Sequence, residues 1–299
     1  MTKWFYRRGE LRRGVWETVV DDTLAGWQCT GMRIADSSDA NRFDLDSLAI
    51  ERIIYVLGGA DTRVIYQAPG MAEPATELLG GRPSVFHGPP DTLYLPPHTS
   101  ATIETTGRVM VIEVPAEGDK PVQLTRASDV PVLLRGGGRS TRQVQDFGGV
   151  DHLDANRMVA VEVVVPAGNW SGIPPHKHDV YIPGVESNLE EVYYFEAAPD
   201  RAYTPSCATD PVGYFRGYPS DERPFDEMFE VRTGDVVLVP HGFHGPVAAP
   251  PGYDLCFMNV MAGPDPDRSW NITDDPNHAW VRDTWEGEGP DSRLPYGRE

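Results

Sequence analysis

The sequence contains few cysteines and no long apolar run, and we expect no secretory leader. Its three cysteines, Cys29, Cys207 and Cys256, lie far apart and form no CxxC pair, so a disulfide framework is not indicated. No stretch approaches the roughly 20 apolar residues of a membrane span, and the basic N-terminus is not followed by an apolar run. We therefore expect a cytoplasmic protein that has reduced thiols and no membrane partner.

Basic residues are also scarce. The chain has 26 lysines and arginines against 45 aspartates and glutamates, a formal net charge of −19. This balance argues against a nucleic-acid partner, which would require a basic face. It also disfavours long-range attraction of an anionic small molecule. A substrate that carries a carboxylate would therefore need local cations in its binding pocket.

Turn-forming residues are abundant, with 28 prolines and 30 glycines in 299 residues. A hydrophobic content of 40% is sufficient for a packed core. Many turns between short apolar segments favour an all-β architecture over a helical one. The strand-like segments of the first half are 26–34, 50–57, 62–66, 92–98 and 108–114.

Two histidines flank one lysine in the stretch Pro174-Pro175-His176-Lys177-His178. The prolines argue against a helix, and side chains at i and i+2 of an extended segment point the same way. The imidazoles of His176 and His178 can therefore converge on one point, as a metal site requires. Lys177 would point to the opposite side.

Two downstream segments supply further candidate ligands. The run 190–195 has the β-branched and aromatic composition of a half-buried strand, and the apolar run 234–239 leads into a Pro/Gly turn that ends at His244. Glu190 and Glu191 would point to opposite faces of a strand, so only one of them can face a metal. Histidine and carboxylate ligands suit zinc, manganese, iron or nickel.

This arrangement resembles the cupin superfamily, in which a His-x-His pair and a following Glu form one motif and a Gly…Pro-x-Gly…His turn forms the second. The resemblance implies four metal ligands: His176, His178, Glu191 and His244. The segment between His178 and Glu191 is longer than usual, and the turn before His244 is one residue shorter. These two departures indicate a subfamily.

The subfamily that the chain resembles is the 5-deoxy-glucuronate isomerases of inositol catabolism. The similar blocks occur in the same order along the chain: 154–157, 166–171, 174–179, 189–194, 234–240, 251–255, 259–264 and 275–280. The resemblance implies an aldose–ketose isomerase that converts 5-deoxy-D-glucuronate to 5-dehydro-2-deoxy-D-gluconate through an enediol(ate). It implies zinc as the metal, with Mn²⁺, Fe²⁺ and Ni²⁺ as alternatives; the catalytic base is not identified.

The expected fold is a bicupin built from two β-barrel, jelly-roll-like domains. Residues 1–120 are assigned to an N-terminal barrel without metal, 121–150 to a connection, and 151–299 to a metal-binding barrel with a C-terminal extension. The first half has no His-x-His segment, and its histidines His87 and His98 are not expected to bind metal. Homo-oligomerisation stays open.

Several side chains are candidates for holding a sugar acid in the pocket. Guanidinium groups bind carboxylates through two parallel hydrogen bonds, and Arg216 lies on a strand-like stretch between the two metal motifs. Tyr193 shares its strand face with Glu191, so it would look into the barrel, as a core residue or as a hydroxyl contact to substrate. The complete set of predicted substrate-binding residues is Lys177, Arg142, Arg157, Arg216 and Tyr193.

Two other functions are compatible with the same ligands. An iron-dependent cupin dioxygenase would use a redox-active metal and consume oxygen. A non-catalytic sugar-binding bicupin would not need a metal with open coordination positions. Metal analysis together with an isomerase assay separates the three hypotheses.

Overall fold

The computed structural model describes residues 2–220 and 223–297, and nearly all of their regular secondary structure is β-strand. The first half contains strands β1 (Phe5–Tyr6), β2 (Thr18–Val20), β3 (Gly31–Asp36), β4 (Arg42–Leu45), β5 (Ile50–Gly58), β6 (Thr62–Gln67), β7 (Ala75–Leu79), β8 (Thr92–Leu95), β9 (Ser100–Glu104), β10 (Arg108–Pro115) and β11 (Gln123–Thr125). Within the described residues, no helix has the length and apolar character needed to cross a membrane.

The second half contains strands β12 (Val132–Arg135), β13 (Arg142–Gly148), β14 (Val159–Val165), β15 (Trp170–Ser171), β16 (His176–Lys177), β17 (Asp179–Ile182), β18 (Glu186–Asn188), β19 (Glu190–Pro199), β20 (Gly213–Tyr218), β21 (Glu227–Val231), β22 (Val236–Val239), β23 (Phe243–Ala248), β24 (Tyr253–Ala262) and β25 (Thr273–Asp274). Two 3-10 helices, Gly138–Ser140 and Ala279–Trp285, complete the secondary structure.

Each half is a sandwich of two antiparallel sheets. In the first half, a sheet of order β11-β8-β5-β10-β3-β2 faces a sheet of order β4-β9-β6-β7. In the second half, a sheet of order β1-β22-β19-β24-β14-β13-β12 faces one of order β21-β20-β23-β16-β25, with β15 paired to β23. The fold is therefore all-β and jelly-roll-like, as expected, although the described strands form open sheets rather than closed barrels.

Alternation along the central strands divides the apolar side chains between separate cores. On β5, Ile54 and Val56 point into the first sandwich, whereas Ile53, Tyr55 and Leu57 point to the other face. That other face packs against the seven-stranded sheet of the second half, which contributes alternate residues of β14, β19 and β24. The two large sheets thus lie back to back, and the interior of the second sandwich is left for a third core and the site.

Short segments attach each half to the other. Strand β1 pairs with β22, so the N-terminal strand belongs to a sheet of the second half. Between residues 121 and 150, β11 extends the first half while β12 and β13 join the second. The chain after β24 returns to the site, where β25 pairs with β16. The division at residues 120 and 150 stays a prediction.

Candidate metal centre

Three histidines from two neighbouring strands meet inside the second sandwich. His176 opens β16, His178 follows it in an extended segment, and His244 lies on β23 directly opposite His176 in the strand register. Their ring centroids lie 4.7–5.9 Å apart. One nitrogen from each ring lies within 4.8 Å of the others, so the three side chains could hold a metal ion.

Glu191 joins this cluster from the opposite sheet. It lies on the interior face of β19, and its Oε2 is 2.9 Å from Nε2 of His178 and 2.9 Å from Nε2 of His244. Burial raises the pKa of Glu191, but hydrogen bonds and positive charge from His178 and His244 in their protonated forms outweigh it and lower the pKa to about 2. Glu191 is therefore an ionised carboxylate at neutral pH.

The hydrogen bonds behind the rings determine which nitrogens face the cluster. Nδ1 of His178 lies 3.2 Å from the carbonyl oxygen of Leu189, and Nδ1 of His244 lies 2.9 Å from the carbonyl oxygen of Gly242. Because a carbonyl only accepts, both Nδ1 atoms must be donors, and a neutral ring then presents a lone pair at Nε2.

The two Nε2 atoms lie 3.1 Å apart and both face the Glu191 carboxylate. Such convergence of lone pairs and negative charge is unfavourable unless a positive charge lies there, supplied by a metal ion or by a ring proton; burial lowers the pKa of His178, but the Glu191 carboxylate outweighs it and raises that pKa. Donation of the outer N–H to a carbonyl is also the usual arrangement of metal-binding histidines. The donor set therefore fits a divalent metal ion.

Asp179 fixes the two histidine segments relative to each other. Its buried carboxylate accepts hydrogen bonds from Lys177 and from the backbone N–H of Gly242, which lies two residues before His244. Burial opposes ionisation of Asp179, but the Lys177 ammonium and these donors hold its pKa well below the usual range.

Gly245 has a φ of +107°, and a Cβ there would lie 2.9 Å from Cε1 of His176, so only glycine fits beside this ring.

A cavity of about 350 Å³ opens beside the cluster. Its lining is mixed, with apolar side chains from the sandwich core and polar groups near His176 and Glu191. The C-terminal segment covers part of it through Trp270, Ile272 and Arg282. The polar and charged lining residues are Arg135, Arg142, Asp146, Ser171, His176, Glu191, Tyr193, Asn259 and Arg282.

Arg142 is a half-buried cation that lines this cavity. Burial, together with the charges of Arg282 and Arg135, lowers the pKa of Arg142 to about 10. Its one hydrogen bond, at 3.3 Å, goes to the Ser140 carbonyl, and no carboxylate of the described residues forms an ion pair with it. Arg142 also contributes to the low pKa of His176, although burial and the other two histidines contribute more. The guanidinium therefore lies within electrostatic range of the histidine cluster.

The other cations predicted from the sequence do not line this cavity. Lys177 points away from the histidines, as alternation predicts, and pairs with Asp179 at 2.8 Å and Glu186 at 2.6 Å. Arg216 pairs with Asp226 at 2.6 Å and donates to the Glu227 carbonyl. Arg157 donates to the Gly263 carbonyl and borders a different surface pocket. Of the four predicted cations, only Arg142 is in the cavity with the histidines.

Three further polar residues, Tyr193, Asn259 and Asp146, line the cavity. Tyr193 lines the cavity as predicted, and burial followed by the neighbouring Glu191 charge raises its pKa well above the ordinary value. Asn259 and Asp146, which also line the cavity, were not among the residues predicted from the sequence. Each has a buried side-chain atom without a hydrogen-bond partner among the described residues. Strand alternation from Phe257 and Val144 would have placed both on the interior face.

These features define a two-sandwich cupin-like protein with a histidine cluster in its second half that could hold a metal ion. Residues 4–281 match the KduI/IolB family. The chain belongs to this family.

Relatives of known name extend the comparison. A 5-deoxy-glucuronate isomerase of Geobacillus thermodenitrificans is 34% identical over 264 residues, which cover 87% of this chain and 89% of the relative. The enzyme of the same name from Geobacillus kaustophilus is 40% identical over 211 residues, 70% of this chain and 71% of the relative.

Solved structures agree on the architecture. The crystal structure of an IolB-like protein from Salmonella typhimurium has a TM-score of 0.79 at 29% identity and covers 93% of this chain and 99% of its own. Bacillus subtilis oxalate decarboxylase has a TM-score of 0.55 at 10% identity, over 92% of this chain and 80% of its own. The second similarity shows the fold alone.

Proposed function

We propose that this protein is a 5-deoxy-glucuronate isomerase that forms 5-dehydro-2-deoxy-D-gluconate in myo-inositol catabolism. The observation that carries the proposal is the cavity in which a metal-compatible histidine cluster and the unpaired guanidinium of Arg142 face the same space. A sugar acid has a carbonyl at one end and a carboxylate at the other, and these two groups match the two features. The names of relatives that share most of this chain support the same activity.

The metal would be held by His176, His178 and His244 together with Glu191. We favour zinc, and Mn²⁺, Fe²⁺ or Ni²⁺ would suit the same ligands. When bound, the divalent ion supplies Lewis acidity that stabilises negative charge on the substrate oxygens. The hydrogen bonds from Nδ1 of His178 and His244 to backbone carbonyls keep Nε2 of both rings available as ligands.

Arg142 would bind the substrate carboxylate. The protein carries a formal charge of −19, so a local cation must offset the long-range repulsion of an anion. The pKa of Arg142 is lowered because its charge is buried beside two other arginines. A bound carboxylate would compensate that buried charge through paired hydrogen bonds. Binding at Arg142 orients the open-chain sugar with its carbonyl end free to reach the histidines.

The isomerisation moves one carbon-bound proton between neighbouring carbons. A base removes the proton from the carbon next to the aldehyde, which gives an enediol(ate), and the proton is then delivered to the former aldehyde carbon. The proton of the neighbouring hydroxyl is lost as that carbon becomes the ketone, and the former aldehyde oxygen gains one. Atoms and electrons balance without an oxidant or a second substrate.

Proton NMR of 5-deoxy-D-glucuronate with the purified, metal-loaded protein in heavy water tests the proposal. We expect conversion to the ketose with deuterium incorporated at the carbon that receives the proton. Oxygen uptake without ketose formation would instead identify the dioxygenase alternative. Binding of the sugar acid with neither reaction would leave a non-catalytic bicupin.

Replacement of Arg142 by alanine is expected to lower kcat/KM by roughly 10- to 100-fold, because a charge-assisted hydrogen bond contributes about 1.5–3 kcal/mol. Lysine at this position should recover only part of the loss, since a point charge does not reproduce the guanidinium fork. Steady-state kinetics with metal analysis measures the effect, and the metal content should stay unchanged.

Arg216→Ala is the matched control, because Arg216 pairs with Asp226 outside the cavity. It should retain near-normal kinetics. Normal kinetics in Arg142→Ala combined with a loss in Arg216→Ala would transfer the carboxylate contact to Arg216, the residue that the sequence favoured.

The cellular setting follows from the same proposal. Cys29, Cys207 and Cys256 are all unpaired, which agrees with a reducing cytoplasm. The partner is a small-molecule sugar acid rather than a macromolecule, and the proposal requires no second copy of the chain.

A further inference from the structure

Asn259 lies at the centre of the sheet that forms one wall of the site. On β24 the side chains of Leu255 and Phe257 point into the interior of the sandwich, and alternation places Asn259 on the same face. In the strand register, Asn259 is opposite Tyr193, and Met261 is opposite Glu191. The amide of Asn259 is therefore one step along the sheet from the carboxylate of the metal centre.

The Asn259 amide nitrogen lacks a well-formed hydrogen bond within the described part of the chain. The residue is 4% exposed and lines the cavity together with His176 and Glu191. Its buried Nδ2 has no hydrogen bond of normal geometry to any described residue, and the neighbour that it approaches is the hydroxyl of Tyr193, which also lines the cavity and whose pKa burial raises and the Asn259 amide reduces. Buried polar groups are nearly always paired because an unpaired one loses its hydration without compensation. A donor left unpaired at the wall of a cavity is available to a molecule that enters the cavity.

Another asparagine of this chain shows what a structural amide looks like. Asn169 is also fully buried, but its Nδ2 donates at 3.0 Å to the Thr141 carbonyl and at 3.0 Å to Asp291. Arg293 donates to its Oδ1 at 3.2 Å. The Asn169 amide thus holds three chain segments together, whereas the Asn259 amide holds none.

We propose that Asn259 is a substrate-contacting residue whose amide N–H donates to an oxygen at the reacting end of the sugar acid. This inference rests on the proposed isomerase function. As the proton leaves carbon, negative charge develops on the enediolate oxygens, and a donor already in place in a buried site stabilises that charge strongly. An asparagine suits this position because its amide stays neutral and can donate at any pH at which the protein is folded.

The test compares Asn259→Leu, which has a similar volume and no polar atom, with Asn259→Asp, which keeps the shape but can only accept when ionised. Both are expected to lower kcat/KM by about 10²- to 10³-fold, mostly through kcat, because the contact strengthens in the transition state. Metal content should match wild type. The melting temperature of Asn259→Leu should not fall, since the variant removes an unpaired polar group.

Asn169→Leu serves as the matched control and should lower the melting temperature clearly, because three partners lose their hydrogen bonds. If both Asn259 variants melt early and lose activity in proportion, the residue is structural and the inference is overturned. Wild-type kinetics in Asn259→Leu would also overturn it, since the amide would then bind only water.

A binding measurement separates this inference from the isomerase proposal. D-gluconate is a linear six-carbon sugar acid without an aldehyde, so calorimetric titration with it does not depend on turnover. We expect Asn259→Leu to weaken D-gluconate binding about tenfold. Wild type that binds D-gluconate in this Asn259-dependent way but does not isomerise 5-deoxy-D-glucuronate would reject the proposed reaction. The same result would support the Asn259 contact. Equal binding of D-gluconate by wild type and by Asn259→Leu rejects the contact.

Discussion

Replacing His178 by alanine is expected to remove most of the bound metal and nearly all isomerase activity. Its Nε2 lies 2.9 Å from Glu191 and 3.1 Å from Nε2 of His244, at the centre of the proposed ligand set. Lewis-acid stabilisation by a metal contributes several kcal/mol to such a reaction, so turnover should fall by roughly 10³-fold or more. Elemental analysis of the purified variant measures the metal, and the heavy-water NMR assay measures turnover.

His98→Ala is the control for this prediction. His98 is half exposed in a turn of the first half, where it lies 3.1 Å from Glu117, so metal content and activity should match wild type. Full metal loading of His178→Ala would show that the ligand assignment is incorrect. A second metal ion per chain that disappears in His98→Ala would show that the first half also binds metal.

The backbone periodicity of strands explains why the fold and the histidine cluster could be predicted from the sequence. The predicted strands at 50–57, 62–66 and 108–114 correspond to β5, β6 and β10 almost residue for residue. Alternation likewise predicted that His176 and His178 converge while Lys177 turns away. In each case the side-chain direction follows from position along an extended backbone, and short imidazoles leave little further freedom.

The cations of the cavity could not be ranked from the sequence for a physical reason. An arginine side chain is long, and its direction depends on which acceptors lie within reach. Arg216 lies between the two metal motifs in sequence, but Asp226 and the Glu227 carbonyl hold its guanidinium elsewhere. Arg142 faces the cavity because its strand, β13, is part of the interior wall. The position of β13 in that wall depends on its pairing with β14, which one sequence alone does not predict.

Breaking the buried ion pair between the two halves is expected to cost about 3–5 kcal/mol of unfolding free energy. Arg82 of the first half and Glu162 of β14 form two parallel hydrogen bonds of 2.8 and 2.7 Å, and both side chains are almost fully buried. Arg82 also donates to the carbonyls of Val56 and Gly88. Arg82→Met would leave a buried carboxylate and two carbonyls without their donor, and urea unfolding measures the loss.

The double variant Arg82→Met, Glu162→Leu tests the source of this loss in unfolding free energy. The loss can come from the missing attraction between the two charges or from the buried Glu162 carboxylate that Arg82→Met leaves without a partner. Taking two charges out of water is expensive, so an apolar pair of similar volume can be nearly as stable as the ion pair. We expect the double variant to recover most of the stability lost in Arg82→Met. The exposed pair of Arg63 and Glu104 is the control, and Arg63→Met should cost at most about 1 kcal/mol. If Arg82→Met costs no more than this control, the ion pair does not hold the two halves together, and the apolar side chains between the two large sheets do so without it.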